Sequence, residues 1–429
     1  MGTSLTARNY GKRAVSLKAP GAASSNYPLL KVWAETMPKR IAIAGAGIGG
    51  LTAACCLLKA GYEVELFEQA AELSEIGAGI QLSANAMHVL NDLGLGEAIA
   101  NFSVRPRAYV FRLHDTGETV GQFPLAEEHA ALNGAPYNQL HRADLHQVLV
   151  AKVKSLGPKA IRLNCRVDGF EESEGRVQLM LSDGSRVDAD ILIGADGVKS
   201  AIRAQIVGAT GASYTGDAAW RLVVPAARLP ANFMDPVMSV WMGPGRHAVC
   251  YYLRGGSLLN FVGLVETDEV SEESWTAKYP WERLKADFEG WHSDIQEIID
   301  RADRNSCYRW SLFYRPPIAK WSTRHVTMLG DAVHATLPYL AQGAAMAIED
   351  GAVLTRALKL TDDTAAALQL YERNRIERTS RIVNGSGANR TLFHMSDQEK
   401  LRQAFANRDE GKARNEWLYS YNPLTVELV

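Results

Sequence analysis

The sequence predicts an α/β protein in which a parallel sheet is assembled from distant segments, a mostly antiparallel sheet is inserted between them, and helices close the C-terminal end. Three observations carry this. Residues 40 to 67 run as a short apolar stretch, a glycine turn, a helical repeat and a second apolar stretch. Two later apolar runs end in Gly-Ala-Asp and Gly-Asp turns, and residues 237 to 266 alternate with period two between tight turns.

The chain has 429 residues, 47% of them hydrophobic, enough for a large core and against general disorder. Its 46 basic and 48 acidic residues give a net charge of -2, so no basic field points to nucleic acid or an anionic membrane. A small-molecule partner is expected, acting in a monomer or homodimer. Five cysteines (Cys55, Cys56, Cys165, Cys250, Cys307) without a CxxC support neither a disulfide framework nor a zinc site. No metal is expected, and a reducing cytoplasm is the expected compartment. No apolar run approaches the ~18 residues of a membrane span.

Residues 1 to 36 hold five basic residues and one acid, Glu35, without helical or strand period, and read as a flexible leader. The same acid-poor composition suits a transit peptide, Gly2 with Thr6 fits a myristoylation pattern, and Met37 is an alternative start. From Arg40, Ile41 and Ile43 form a strand, GAGIGG the turn, Leu51, Ala54, Cys55 and Leu58 a helix face, and residues 62 to 67 the second strand. In that turn Gly45 allows the tight bend, Gly47 lets the backbone approach a pyrophosphate, and Gly50 lets helix and strand pack closely. Glu68 stands 23 positions after Gly45, at the end of the second strand, where a carboxylate can accept from a ribose diol. These residues point to a dinucleotide and leave NAD and FAD open.

The run from Asp190 to Gly194 leads into GADGVKSAIR, and the run from His325 to Leu329 into GDAVH and a helix from about Ala344. Between them three strands, at 237–242, 247–253 and 258–266, form a meander, and residues 365 to 406 are charged and helical. GADGVKSAIR (194–203) and LGDAVHATLPYLAQGAAMAIEDGAVL (329–354), following GAGIGG in that order, resemble the further signatures of the single-component, group A FAD-dependent aromatic hydroxylases. The resemblance covers residues 38 to 390, and RHAVCYY, AQGAAMAIED and WLYSYNPLTVEL look closest to the salicylate hydroxylase and 6-hydroxynicotinate 3-monooxygenase members.

That resemblance implies a Rossmann-type FAD-binding domain of the p-hydroxybenzoate hydroxylase kind (38–110, 138–212, 308–365), a substrate sheet domain (111–137, 213–307) and a C-terminal helical segment (366–429). For FAD it implies Asp196 and Gly197 near the pyrophosphate, Asp331 on the ribityl chain, Gly79 beside the flavin ring, Arg142 in contact with FAD, and Gly343 and Ala344 at a helix start against the ring. Taken by themselves, Asp331 is also a helix cap and Arg142 also a surface ion-pair residue. NADH or NADPH and O2 are the implied co-substrates, with OH passed from a flavin C4a-hydroperoxide to an electron-rich hydroxybenzoate or hydroxypyridine, with or without loss of a carboxyl or acyl group.

Tyr214, Trp220, Arg221, Gln81 and Tyr252 are the expected substrate contacts, and His247, Pro338 and Tyr339 the expected catalytic positions. His247, Val249 and Tyr251 share one face of their strand and Ala248, Cys250 and Tyr252 the other, so only one set can face a pocket. Tyr339 follows Pro338 where several relatives carry histidine, and a tyrosine is a weak base at its ordinary pKa of ~10. A flavin oxidoreductase that does not hydroxylate is the alternative on the same fold, and a flavin-binding protein without catalysis a third.

Overall fold

Five strands that the sequence scatters over almost 300 residues become neighbours in a single parallel sheet. In the computed structural model, which describes residues 38–73, 78–208, 211–271, 277–406 and 416–429, its order is Val326–Met328, Ile191–Gly194, Arg40–Ala44, Glu63–Phe67 and Ile161–Arg162. The readings for residues 1 to 36 and for Met37 lie outside the described residues. The central strands are buried, packed into one apolar core with helices such as Ile48–Lys59 and with antiparallel strands from residues 167–189, which is why they read as unbroken apolar runs and not as alternation. On one side helix Ile48–Lys59 packs against helix Gly343–Leu360 so closely that a Cβ on Gly351 would lie 3.0 Å from the backbone nitrogen of Ala53.

The meander widens into a seven-stranded sheet: Tyr308–Tyr314, Ser213–Pro225, Leu258–Glu266, Arg246–Leu253, Met238–Gly243, Ala108–Leu113 and Thr119–Pro124. This moves two expected boundaries. Strand 308–314 pairs with Ser213–Pro225 (Ala219↔Trp310), and strand 108–113 with Met238–Gly243 (Val240↔Phe111), so both belong to the inserted sheet and not to the FAD-binding part. The outer face carries Trp220, Leu222, Cys250 and Phe261 against helices Trp281–Asp287 and Ser293–Asp300. The inner face looks toward the parallel sheet. Two smaller sheets were not anticipated: an antiparallel trio over residues 167–189, and a pair, Gly79–Leu82 with Asn138–His141, that bridges the two main sheets.

A buried ionic cluster joins the C-terminal helices to the cofactor end of the cleft. Arg375, fully buried on helix Thr364–Phe393, donates to Asp350 Oδ1 at 2.7 Å and pairs with Glu349 at 2.7 Å; Arg378 pairs with Glu349 at 2.7 Å. Asp350 also accepts from the Gly330 N–H at 2.9 Å and contacts the His334 ring at 2.6 Å, while Glu349 accepts from Asn85 at 2.5 Å. Burial alone would raise the Asp350 pKa, but the charges of His334 and Arg375 and these hydrogen bonds hold it down at about 2. All five cysteines are unpaired, and among the described residues no helix is long and apolar enough to cross a membrane.

Replacing Arg375 with Met leaves two carboxylates buried with too little positive charge, so equilibrium urea unfolding should show a loss of about 3–5 kcal/mol. The contribution of Asp350 is complete above its unfolded pKa of about 4 and is lost as pH falls toward its folded value of about 2. The wild-type protein should therefore lose stability across that interval, and Asp350→Asn should flatten the loss.

Candidate active site

The cleft opens where the carboxyl ends of the parallel strands meet the inner face of the seven-stranded sheet, the position at which open α/β sheets bind ligands. Its cofactor end is built by close backbone contacts. Gly45 has φ +104°, and a Cβ there would lie 2.4 Å from the Ala195 carbonyl oxygen; a Cβ on Gly50 would lie 2.0 Å from the Gly45 carbonyl oxygen. Neither position admits another residue without displacing the turn. Gly47 differs: a Cβ would meet nothing within 4 Å, and the residue lines the cleft as an N-cap without a side-chain hydrogen bond. The first-turn N–H groups behind it suit a pyrophosphate.

Glu68, at the end of its strand, accepts from the Ala46 N–H at 2.8 Å and the Ala70 N–H at 2.9 Å, one bond to each oxygen. It thereby holds the glycine turn and keeps a second lone pair on each oxygen for a ribose diol. Asp331 lines the cleft directly after Gly330, whose φ is +62°. Arg142 lines it from the start of helix Arg142–Leu156, and Gly343 and Ala344 from the start of helix Gly343–Leu360. Donors for phosphates and acceptors for hydroxyls thus surround one groove, and these residues fit FAD. One expectation is corrected: Asp196 does not line the cleft. Its neighbours Ala195 and Gly197 do, while Asp196 Oδ2 accepts from the Ile202 N–H at 3.2 Å and caps helix Ala201–Val207.

The ring end is the inner face of the inserted sheet. Cross-strand register sets three rows: Ala219, Leu264 and His247; Arg221, Val262 and Val249; Asn260 and Tyr251. Arg221 and His247 are two strands and two residues apart, about 12 Å between Cα atoms, with apolar side chains between. Both line the cleft. Burial brings the Arg221 pKa down to about 10, which leaves it charged at neutral pH, and its guanidinium lies 4.8 Å from the Trp310 ring centre. Burial, followed by the neighbouring His394, pushes His247 well below the ordinary histidine value, so it is a neutral base. Gln81 lines the cleft and accepts from the Tyr137 hydroxyl at 2.5 Å; Pro338 lines it from the turn opposite.

Strand alternation overturns three substrate contacts. Trp220 points to the outer face and donates to Asp287 Oδ2 at 2.7 Å; Tyr252 lies on that same outer face, five positions from the inward His247. Tyr214 precedes a register irregularity that resets the alternation before Ala218, and its hydroxyl donates to the Thr267 carbonyl outside the cleft. Tyr339 lines the cleft with its ring, but its hydroxyl donates to Asp217 Oδ2 at 2.7 Å. Burial and that carboxylate raise its pKa, so it is a weaker base still than an ordinary tyrosine and acts here as a donor. Tyr251, placed on the His247 face by period two but not among the expected substrate contacts, also lines the cleft; its hydroxyl would clash with any Cβ on Gly79, at 2.5 Å. Tyr109 and Phe393 complete the apolar wall without any local signal in the sequence.

Gly47→Ala and Gly50→Ala separate the two uses of glycine. Gly47→Ala should leave apoprotein stability within about 0.5 kcal/mol of wild type yet weaken FAD binding in a fluorescence titration. Gly50→Ala should lower both.

The FAD binding domain family model matches residues 39–386. The chain is 37% identical over 394 residues to 3-hydroxybenzoate 6-hydroxylase of Polaromonas naphthalenivorans, covering 89% of this chain and 96% of that protein. It is 36% identical over 357 residues to 6-hydroxynicotinate 3-monooxygenase of Bordetella bronchiseptica, covering 82% and 92%. Among solved structures, Klebsiella pneumoniae HpxO complexed with FAD and uric acid superposes with a TM-score of 0.79 at 27% identity, covering 90% of this chain and 97% of that one. A salicylate hydroxylase substrate complex shares the fold, with a TM-score of 0.75 at 24% identity over 90% and 96%. With the glycine turn, the acceptors and the ring pocket all in place, this chain belongs to the FAD binding domain family and, within it, to the flavin-dependent aromatic-ring monooxygenases.

Proposed function

We propose that the enzyme hydroxylates a single-ring aromatic acid bearing a ring hydroxyl, a hydroxybenzoate or hydroxynicotinate, with NADH or NADPH as reductant and O2 as oxidant. The observation that carries this is the pairing of a charged, buried Arg221 with a neutral, buried His247 on one wall of the FAD cleft. An arginine desolvated in this way suits a carboxylate, and a neutral imidazole suits the proton of a ring hydroxyl. The names of the relatives point the same way: 3-hydroxybenzoate, 3-amino-4-hydroxybenzoate and 6-hydroxynicotinate are all carboxylated, oxygen-substituted rings. Arg142 also lines the cleft and acts electrostatically on Arg221, which favours an acid over a neutral acyl ring.

When bound, FAD supplies two-electron reduction and the delivery of one atom of O2 to the ring. The chain's own residues do the rest. Arg221, with the Tyr251 hydroxyl beside it, orients the carboxylate; Val249, Val262, Leu264 and Phe393 exclude water from the reacting face. His247 accepts the ring hydroxyl proton, which makes the ring electron-rich at the moment of oxygen transfer. The start of helix Gly343–Leu360 turns the positive end of its dipole into the cleft, where negative charge is stabilised. Five unpaired cysteines suit a reducing cytoplasm as the working compartment.

The test is nicotinamide oxidation by FAD-loaded enzyme across hydroxybenzoates and hydroxypyridines, with peroxide measured alongside. The substrate should accelerate oxidation with little peroxide; acceleration matched mole for mole by peroxide in every case would sink the hydroxylation of this class. Arg221→Met should cost about 2 kcal/mol in binding the acid, roughly thirtyfold in KM, and leave neutral ring analogues unaffected. His247→Asn should lower coupled hydroxylation about a hundredfold, with recovery as pH rises past the pKa of the free phenol. Because the His247 pKa is lowered, wild-type activity should decline only below the ordinary histidine range as pH falls.

A further inference from the structure

Behind His247 lies a chain of polar groups that the reaction as described does not use. His247 Nδ1 is 2.8 Å from His394 Nε2, and His394 Nδ1 is 2.9 Å from Glu266 Oε1. His247 and His394 are buried, whereas the Glu266 side chain is 44% exposed, so the chain runs from the cleft to solvent. We propose that His394 and Glu266 form a proton relay which fixes the tautomer of His247 and carries the ring hydroxyl proton out to water. The proposal rests on the reading of His247 as the group that receives that proton.

The polarity of the chain follows from its outer end. An ionised carboxylate only accepts, so His394 carries its proton on Nδ1 and presents the Nε2 lone pair. His247 must then carry its proton on Nδ1, donated to His394, which leaves its Nε2 as a lone pair. Among the described residues Nε2 of His247 makes no hydrogen bond, and His247 lines the cleft. The base is thus aimed at the substrate by a carboxylate two side chains away.

Proton balance is simple. The ring O–H gives its proton to His247 Nε2, His247 Nδ1–H passes one to His394 Nε2, and His394 Nδ1–H passes one to Glu266, which releases it to water. Both imidazoles end neutral in the opposite tautomer, and reverse passage reprotonates the product oxygen and restores them. The surroundings hold this geometry. His394 donates its backbone N–H to Arg390 and accepts from Gly245, and Glu266 donates its N–H to the Gly245 carbonyl. The charged groups facing His394 are Glu266, Asp217 and Arg390, with His247 and Tyr339 as ring neighbours. Asp217, Glu266 and His394 lie close enough to cage a metal ion, but the Arg390 guanidinium supplies the positive charge there, with Nε 2.6 Å from Asp217 and a terminal nitrogen 3.2 Å from Glu266.

The test uses 4-hydroxy-3-nitrobenzoate, whose phenolate absorbs visible light, bound to FAD-loaded enzyme without nicotinamide. After a stopped-flow pH jump, ionisation of the bound probe should be about tenfold slower or more in Glu266→Gln and His394→Ala than in wild type, with its Kd little changed. Glu266→Asp should recover part of the rate, and millimolar imidazole should rescue His394→Ala, responses a purely structural role would not give. Glu266→Gln changes an exposed side chain and keeps its size, so it tests the relay even if His394→Ala unfolds. Wild-type rates in the variants overturn the relay alone. A wild-type enzyme that binds the probe without ionising it overturns the base role of His247, and the relay with it.

Discussion

Glu349 and Asp350 sit at 0% exposure inside helix Gly343–Leu360, and their charge is balanced there by Arg375 and Arg378 from the next helix and, for Asp350, by His334. Two cofactor-end features of the cleft hang on these pairs. Asp350 takes the Gly330 N–H, which sets the turn presenting Asp331; Glu349 takes Asn85, which also donates to Gln342 at 3.0 Å and so fixes the start of the same helix. Arg378 further donates to the carbonyl oxygens of Trp417 and Leu418, drawing in the C-terminal end. Buried pairs of this kind add little net stability over apolar packing but are severely missed when half is removed. Here they also specify geometry, since each carboxylate oxygen has a named partner on a different segment.

The second constraint is the set of bridges between the two main sheets at Gly79. Gly79 donates its N–H to Asn260 Oδ1 at 2.8 Å, so a residue of the inserted sheet positions the strand that runs along the cofactor groove. Tyr251 fills the space where a Gly79 side chain would be. Cofactor end and ring end are therefore set against each other by direct contact, which oxygen transfer between two bound molecules requires. The Asp144–Arg254 pair, 2.7 Å long and partly exposed, adds a weaker tie at the rim.

Much of the cofactor half was legible because its signals are local. A glycine turn between strand and helix, an acid 23 residues on, and the Gly-Ala-Asp and Gly-Asp turns each need only their own neighbours to form. Gly45 and Gly50 accordingly make close backbone approaches that leave no room for a side chain. Asp196 shows the limit: its motif brought the backbone of Ala195 and Gly197 to the groove while its own side chain turned to cap a helix. The ring half depended on facing. Arg221 and Trp220 are adjacent in sequence and point to opposite sides of one sheet, as do Tyr251 and Tyr252, and composition alone could not say which side was the pocket.

By itself, then, the sequence determined the fold class and the dinucleotide turn, because period and turn residues act within a few residues of chain, and the kind of chemistry came from the resemblance of its ordered motifs to a family. Tertiary structure alone decided which face of the inserted sheet meets the cofactor, that the Tyr339 hydroxyl is held by Asp217, and that His247 is backed by a histidine 147 residues away. Those outcomes depend on strand register and on where the long helix Thr364–Phe393 lays its end, and neither leaves a mark in any one stretch of sequence. A side chain's identity limits what it can do; the partner that arrives from elsewhere in the fold selects which of those things it does.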